Sequence, residues 1–171
     1  MKIETSRLIL RPLLNEDIDD LQNKIYGVPE TMQYIIGNSR TREETQKTLT
    51  LLIEGFDKNG FGFLAVEKRT TREFIGIAGI DYLNQTTEIQ VGYLFEKESW
   101  GRGLATEVTK ELIAYGFRNL KPEKIVAITQ PQHSASIKVL EKCGLKFIDK
   151  RIIKELEFSY YQIKQSDYLT K

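Results

Sequence analysis

The feature that most constrains the fold is one amphipathic stretch set between two strand-like runs. Over residues 103–120, Leu104, Val108 and Leu112 form one row, and Ala105, Ile113, Gly116, Phe117 and Leu120 fall beside it. That spacing predicts a helix. The runs on either side, 88–95 and 124–129, are rich in β-branched and apolar residues and read as strands. A helix between two strands of one sheet is a crossover, and a crossover makes a parallel pair. Upstream, 61–67 and 73–82 have the same strand texture as 88–95. Only turn-like breaks at 69–72 and 84–86 separate them, which predicts an antiparallel meander. The chain is therefore expected to fold as α+β, with a mixed, mostly antiparallel central sheet flanked by helices.

The remaining elements fit that frame. Residues 7–11 alternate as a strand closed by Pro12. Asn15 is a candidate cap for a helix over 15–26, where Glu16 and Asp17 suit the positive helix start. A short helical piece follows Pro29, around 30–35. Thr41-Arg42-Glu43-Glu44 matches a capping box and predicts a helix over 41–57, stopped by Asn59-Gly60. A helix over 134–143 ends at Gly144, and two strands, 146–154 and 158–168, finish the chain. No repeat or linker divides it, so residues 1–171 are expected to form a single domain.

Composition narrows the function classes. With 25 Lys+Arg against 24 Asp+Glu the net charge is +1, so no general polyanion binder, and no nucleic-acid partner, is expected. One Cys, Cys143, excludes an internal disulfide framework, and one His with scattered carboxylates gives no metal site. Cys143 lies before Gly144 on an apolar helix face and reads as a small buried hydrophobe. No signal segment or membrane-length apolar run is visible, so no membrane partner and a cytoplasmic location are expected.

The most informative segment is Trp100-Gly101-Arg102-Gly103-Leu104-Ala105-Thr106-Glu107, between a strand and the central helix. Gly101 and Gly103 permit backbone conformations closed to other residues. The first helix amides have no partners in the chain and sit at the positive end of the macrodipole, which suits phosphate oxygens. Thr106 adds a hydroxyl, and Arg102 an amide and a charge. A Gly-x-Gly turn before a helix is also an ordinary tight turn. A P-loop is excluded, because Gly103 is followed by Leu104-Ala105. A dinucleotide fit is poor, because Thr106 replaces the third small residue and the next strand ends in Gln130-Pro131 without an acid.

Four segments in register resemble the GNAT acetyltransferases, in particular their RimJ/RimL-like branch. They are Glu4–Pro12, Gly92-Tyr93-Leu94-Phe95, Trp100–Glu107 and Pro131–Gly144, and together they cover nearly the whole chain. The resemblance implies acetyl-CoA as co-substrate. Its pyrophosphate would rest on Gly101, Arg102, Gly103, Leu104, Ala105 and Thr106. Its pantetheine would pair with backbone groups near Leu94 and Phe95, where two strands splay apart. An amine acceptor would enter between the early helices and the last strands.

Acetyl transfer needs a neutral amine, a polarised thioester carbonyl and a proton for the leaving thiolate. A lysine amine has a pKa of ~10.4 and an α-amine ~8, so deprotonation matters more for the first. A backbone amide near Leu94 or Phe95 suits the carbonyl oxygen. Ser136 matches the branch's serine near the sulfur, so the resemblance makes it the proton donor or an orienting group; it also reads as a residue of the first helical turn. His133 stands where the branch's motif has Asn, as a coenzyme contact that titrates near neutrality. The branch often carries Glu at the position of Gln90, which cannot be a base. Glu88, on the same strand face, is the candidate base, with Glu155 a further one and water a third. Tyr93 and Trp100 flank the site as packing residues.

The expected function is acetyl transfer from acetyl-CoA to a primary amine, by direct attack in a ternary complex. The acceptor is a protein N-terminal α-amine or a small-molecule amine. The alternative is a catalytically silent module that binds coenzyme A or regulates a partner; His133 and Gln90 favour it, and the intact glycine turn and Ser136 oppose it. For a polycation acceptor, Asp19, Asp20, Glu43 and Glu44 would supply an acidic rim. The resemblance also implies a homodimer.

Overall fold

A computed structural model describes residues 2–35, 38–84 and 86–169; Met1, Ile36, Gly37, Gln85, Thr170 and Lys171, including the middle of the expected turn at 84–86, lie outside the described residues. The strands are β1 (Ile3–Glu4), β2 (Leu8–Pro12), β3 (Phe63–Lys68), β4 (Phe74–Tyr82), β5 (Ile89–Phe95), β6 (Lys124–Thr129), β7 (Lys146–Ile153) and β8 (Leu156–Lys164). The helices are α1 (residues 15–26), α2 (Pro29–Met32), α3 (Arg42–Asn59), α4 (Leu104–Tyr115), α5 (Ser134–Lys142) and α6 (Gln165–Leu169). Among the described residues the strands form one sheet in the order β1-β2-β3-β4-β5-β6-β8-β7. Only β5 and β6 are parallel, joined by α4 as the crossover argument requires.

Strand alternation sends the side chains to two cores. On one face Leu64, Ala78, Val91 and Ile125 pack under Val108, Leu112 and Leu140 of α4 and α5. On the other, Ala65, Ile77 and Phe74 meet Leu21, Ile25 and Leu49 from α1 and α3. A strand covered by helices on both faces loses its polar positions, as β4 does from Phe74 to Ile80.

Local chemistry explains the helix ends. The Thr41 hydroxyl accepts from the Glu44 amide at 3.2 Å while the Glu44 carboxylate accepts from the Thr41 amide at 2.8 Å, the expected capping box. Gly60 closes α3 in the left-handed region at φ 74°. The cap of α1 differs from expectation. Leu14, not Asn15, holds the cap position, and the Asp17 carboxylate accepts from its amide at 2.8 Å. The reason is tertiary: the Arg11 guanidinium grips Asp17 through two bonds of 2.8 and 2.7 Å and orients it for that role. The last strand also differs. It spans Leu156–Lys164, and the chain then turns into α6, where Tyr168 packs against Phe117. Among the described residues no helix is long and apolar enough to cross a membrane.

Candidate functional site

The site begins with the glycine turn. Gly101 and Gly103 adopt φ of 71° and 75°, where other residues are strained. The first bond of α4 runs from the Glu107 amide to the Gly103 carbonyl at 3.1 Å. The amides of Leu104, Ala105 and Thr106 therefore precede the ladder and point off the helix start.

This turn is fixed by a latch from the connection between β1 and β2. One oxygen of the Glu107 carboxylate accepts from the Thr5 hydroxyl at 2.5 Å, the Ser6 hydroxyl at 3.0 Å and the Arg7 amide at 3.0 Å. Its other oxygen accepts from Arg7 Nε at 2.6 Å. The Arg7 guanidinium then donates to the Arg102 carbonyl at 2.9 Å, within the turn itself. Burial pushes the Glu107 carboxyl up, but the bonds from Thr5, Arg7 and Ser6 outweigh it and hold it at about 2. Sequence reasoning assigned Thr5–Arg7 only to a strand opening. The partners lie about a hundred positions apart, and nothing in either segment names the other.

Beside the turn the sheet opens. β5 pairs with β6 only at Gln90↔Val126. The Glu96 amide donates to the Ile75 carbonyl at 2.9 Å, so by alternation Leu94 and Gly92 turn their backbone groups to β4. Tyr93 and Phe95 turn theirs into the gap. This corrects the expected backbone role of Leu94; its neighbours hold that position, and Leu94 offers a side chain instead. The Phe95 carbonyl already accepts from the Trp100 indole at 2.8 Å, which leaves the Phe95 amide for a ligand and gives Trp100 a tethering role.

A cavity of ≈ 260 Å³ occupies the gap. Tyr93, Ala127, Thr129, His133, Ser136 and Leu140 line the half toward α5, and Tyr26, Tyr34, Leu52, Phe63 and Phe158 line the half toward α2 and α3. A larger hollow of ≈ 550 Å³ lies elsewhere, by Lys24, Glu30, Lys68, Glu73, Lys97 and Arg102. Its charges pair with one another, Lys97 with Glu30 at 3.1 Å and Lys68 with Glu73 at 2.7 Å, and it does not reach the strand gap.

Within the cavity the Tyr93 hydroxyl donates to Ser136 Oγ at 3.2 Å. Burial raises the Tyr93 pKa to about 12, so its proton is in place at neutral pH. The His133 ring stacks on Tyr34, with centroids 4.1 Å apart and planes at 16°. Burial lowers the His133 pKa, so the ring is neutral at pH 7 and offers one donor and one acceptor.

Glu88 is not brought to this cavity. It binds Lys124 at 2.8 Å, the Tyr160 hydroxyl at 2.7 Å and Arg151 at 3.2 Å. Burial works to raise its pKa, but the Lys124 and Tyr160 hydrogen bonds and both cations lower it, which makes it a weaker base. Glu155 sits in the β7–β8 turn at φ 66°, also outside the cavity lining. A carboxylate that sequence reasoning passed over also lies outside the cavity lining but pairs across the sheet with one of its residues. Asp81 lies directly across from Gln90, a cavity residue, so both side chains share one sheet face. Burial raises its pKa, and its carboxylate accepts from the Tyr82 amide at 2.7 Å with no ion pair among the described residues. The register of the β4–β5 hairpin, countable from the sequence, was the available signal.

A glycine turn at a helix start beside a parted parallel strand pair is the arrangement expected of an acyl-coenzyme A enzyme, and residues 7–146 match the family model described as the acetyltransferase (GNAT) domain. The chain belongs to the GNAT acetyltransferase family. An uncharacterized N-acetyltransferase of Bacillus licheniformis, p20, is 31% identical over 159 residues, which is 90% of this chain and 85% of that protein. The crystal structure of an acetyltransferase from Agrobacterium tumefaciens superposes with a TM-score of 0.85 at 25% identity, covering 96% of this chain and 95% of that one. RimL, an α-N-acetyltransferase of ribosomal protein L7/L12 solved with coenzyme A, shares the fold with a TM-score of 0.82 at 14% identity, covering 98% and 99%. As a GNAT N-acetyltransferase, this chain is an acetyl-CoA-dependent acyltransferase.

Proposed function

We propose that this single GNAT domain, residues 1–171, moves an acetyl group from acetyl-CoA to a primary amine by direct attack in a ternary complex in the cytoplasm. The observation that carries the reading is that the glycine turn at the start of α4 follows directly on β5, the strand that parts from β6. The amides of residues 101–106 take the pyrophosphate. The backbone of Tyr93 and Phe95 takes the pantetheine, and the Phe95 amide also suits the thioester oxygen, where charge grows as the amine attacks.

When bound, acetyl-CoA supplies the activated acyl group. The chain's residues then handle two protons. Tyr93, protonated and bonded to Ser136, returns one to the leaving thiolate through the serine hydroxyl. Asp81 takes one from the acceptor through water. His133 replaces a motif Asn and keeps a neutral donor toward the pantetheine, held in place by Tyr34. RimL binds coenzyme A and acetylates a protein N-terminus; that likeness supports the RimJ/RimL-like assignment of the fold, and the acceptor is argued separately below. The homodimer expectation finds a surface in β7, an edge strand on which Phe147, Ile148 and Ile152 are exposed.

Calorimetry with acetyl-CoA tests the reading on wild type, Gly103→Ala and Gly103→Glu. Both variants carry the same backbone strain, and only the second puts an anion in the cradle. Binding by wild type and the alanine variant but not the glutamate variant supports the site. No binding by folded wild type would overturn it.

A further inference from the structure

The half of the cavity that faces α2 and α3 is open to the acceptor, and its chemistry selects one kind of amine. Its walls are Tyr26, Tyr34, Leu52, Phe63 and Phe158, and among the described residues that line the cavity none is charged. The acids that sequence reasoning offered as a rim for a polycation are all occupied. Asp19 bonds Arg42, Asp20 binds Lys24 at 3.1 Å, Glu43 binds Lys47 at 2.8 Å, and Glu44 is spent in the Thr41 capping box. Glu88, on the far side of the same sheet face, is neutralised by Lys124 and Arg151. A cation lies against this wall: the Arg40 guanidinium is 4.5 Å from the centre of the Tyr26 ring.

A polyamine brings a second and third ammonium that must leave water. Each is strongly disfavoured in such a pocket without a carboxylate partner. An amine with an apolar body gains instead from burial against aromatic and branched walls. Asp81 is the carboxylate of this sheet face with no ion pair among the described residues, and it can take one amino group. The geometry points to a small monoamine with an aromatic or branched apolar body as the acceptor, with Leu52 and Phe63 as residues that determine this specificity. This rests on the acetyl-CoA reading given above.

The test is a thiol-release assay with acetyl-CoA against 2-phenylethylamine, hexylamine, spermidine and an alanine-initiated tetrapeptide, with calorimetry for acetyl-CoA on the same protein. Wild type is expected to use 2-phenylethylamine with a kcat/KM at least about tenfold above spermidine or the peptide. Leu52→Glu, on the solvent-facing helix α3, is expected to erase or reverse that preference while acetyl-CoA affinity stays within about twofold. A wild-type preference for spermidine or for the peptide overturns the inference. So does an enzyme that binds acetyl-CoA yet turns over none of the panel, or a Leu52→Glu variant whose preference is unchanged. Failure to bind acetyl-CoA overturns the parent reading, and the acceptor inference falls with it.

Discussion

Replacing Glu107 by glutamine tests the latch that holds the glycine turn. In the wild type one carboxylate oxygen takes three donors and the other takes Arg7 Nε at 2.6 Å. Glutamine keeps the first oxygen and sets an NH2 against the Arg7 donor, so one charge-assisted bond is lost and two donors face each other. The depression of the carboxyl from 4.5 to about 2 bounds the effect. At about 1.4 kcal/mol per unit that is roughly 3 kcal/mol. The Arg7 side chain is 49% exposed, however, and water screens its share, which leaves ~2 kcal/mol. For a chain of this length that lowers Tm by ~4–8 °C. The pH dependence has a definite sign. The folded-state value is depressed, so the stabilisation is complete above about 4.5 and is lost as pH falls toward about 2. Urea unfolding at pH 7 should separate the two proteins by ~2 kcal/mol, and the gap should narrow steadily below pH ~4.5. A variant within ~0.5 kcal/mol of wild type at pH 7, or a gap that ignores pH, would refute the reasoning.

Tyr93→Phe and Ser136→Ala should each lower kcat by about 10- to 100-fold with little change in acetyl-CoA affinity, and the double variant should be no worse than the worse single one, because the two hydroxyls act as a unit. Steady-state kinetics with calorimetry checks this, and additive losses would break the relay. Asp81 is active as the carboxylate and its pKa is raised, so wild-type kcat should fall as pH drops through that raised value. The pH profile of Asp81→Asn should lack that limb; an unchanged profile removes Asp81 from the mechanism. Ile152, 70% exposed on the edge strand β7, should control association: light scattering should show Ile152→Asp shifted toward monomer with acetyl-CoA binding intact, whereas a monomeric wild type would exclude the homodimer.

Much of the fold was legible in the sequence because its signals are local. The apolar row of Leu104, Val108 and Leu112, the capping box at Thr41 and the short breaks between strands each act within a few residues, and each element formed where those signals placed it. The glycine turn was legible for the same reason. Gly101 and Gly103 take the left-handed conformations that glycine most readily allows, immediately before a helix start.

What the sequence could not decide were relations between distant segments. Asn15 has the right chemistry for a cap, but the Arg11 grip on Asp17 gave the role to a neighbour. Asp81 is an acid within β4 and Glu88 one immediately before β5. Tertiary packing placed Lys124 and Arg151 beside Glu88 and, among the described residues, no ion-pair partner beside Asp81, which set the Glu88 carboxyl down while burial set the Asp81 carboxyl up. Thr5, Ser6, Arg7 and Glu107 are ordinary polar residues until the connection between β1 and β2 is laid against the start of α4. A chain of this composition specifies its elements through short-range periodicity and turn chemistry. It specifies pKa values, cavities and latches only after folding, because electrostatic and packing energies depend on distances that sequence separation does not contain.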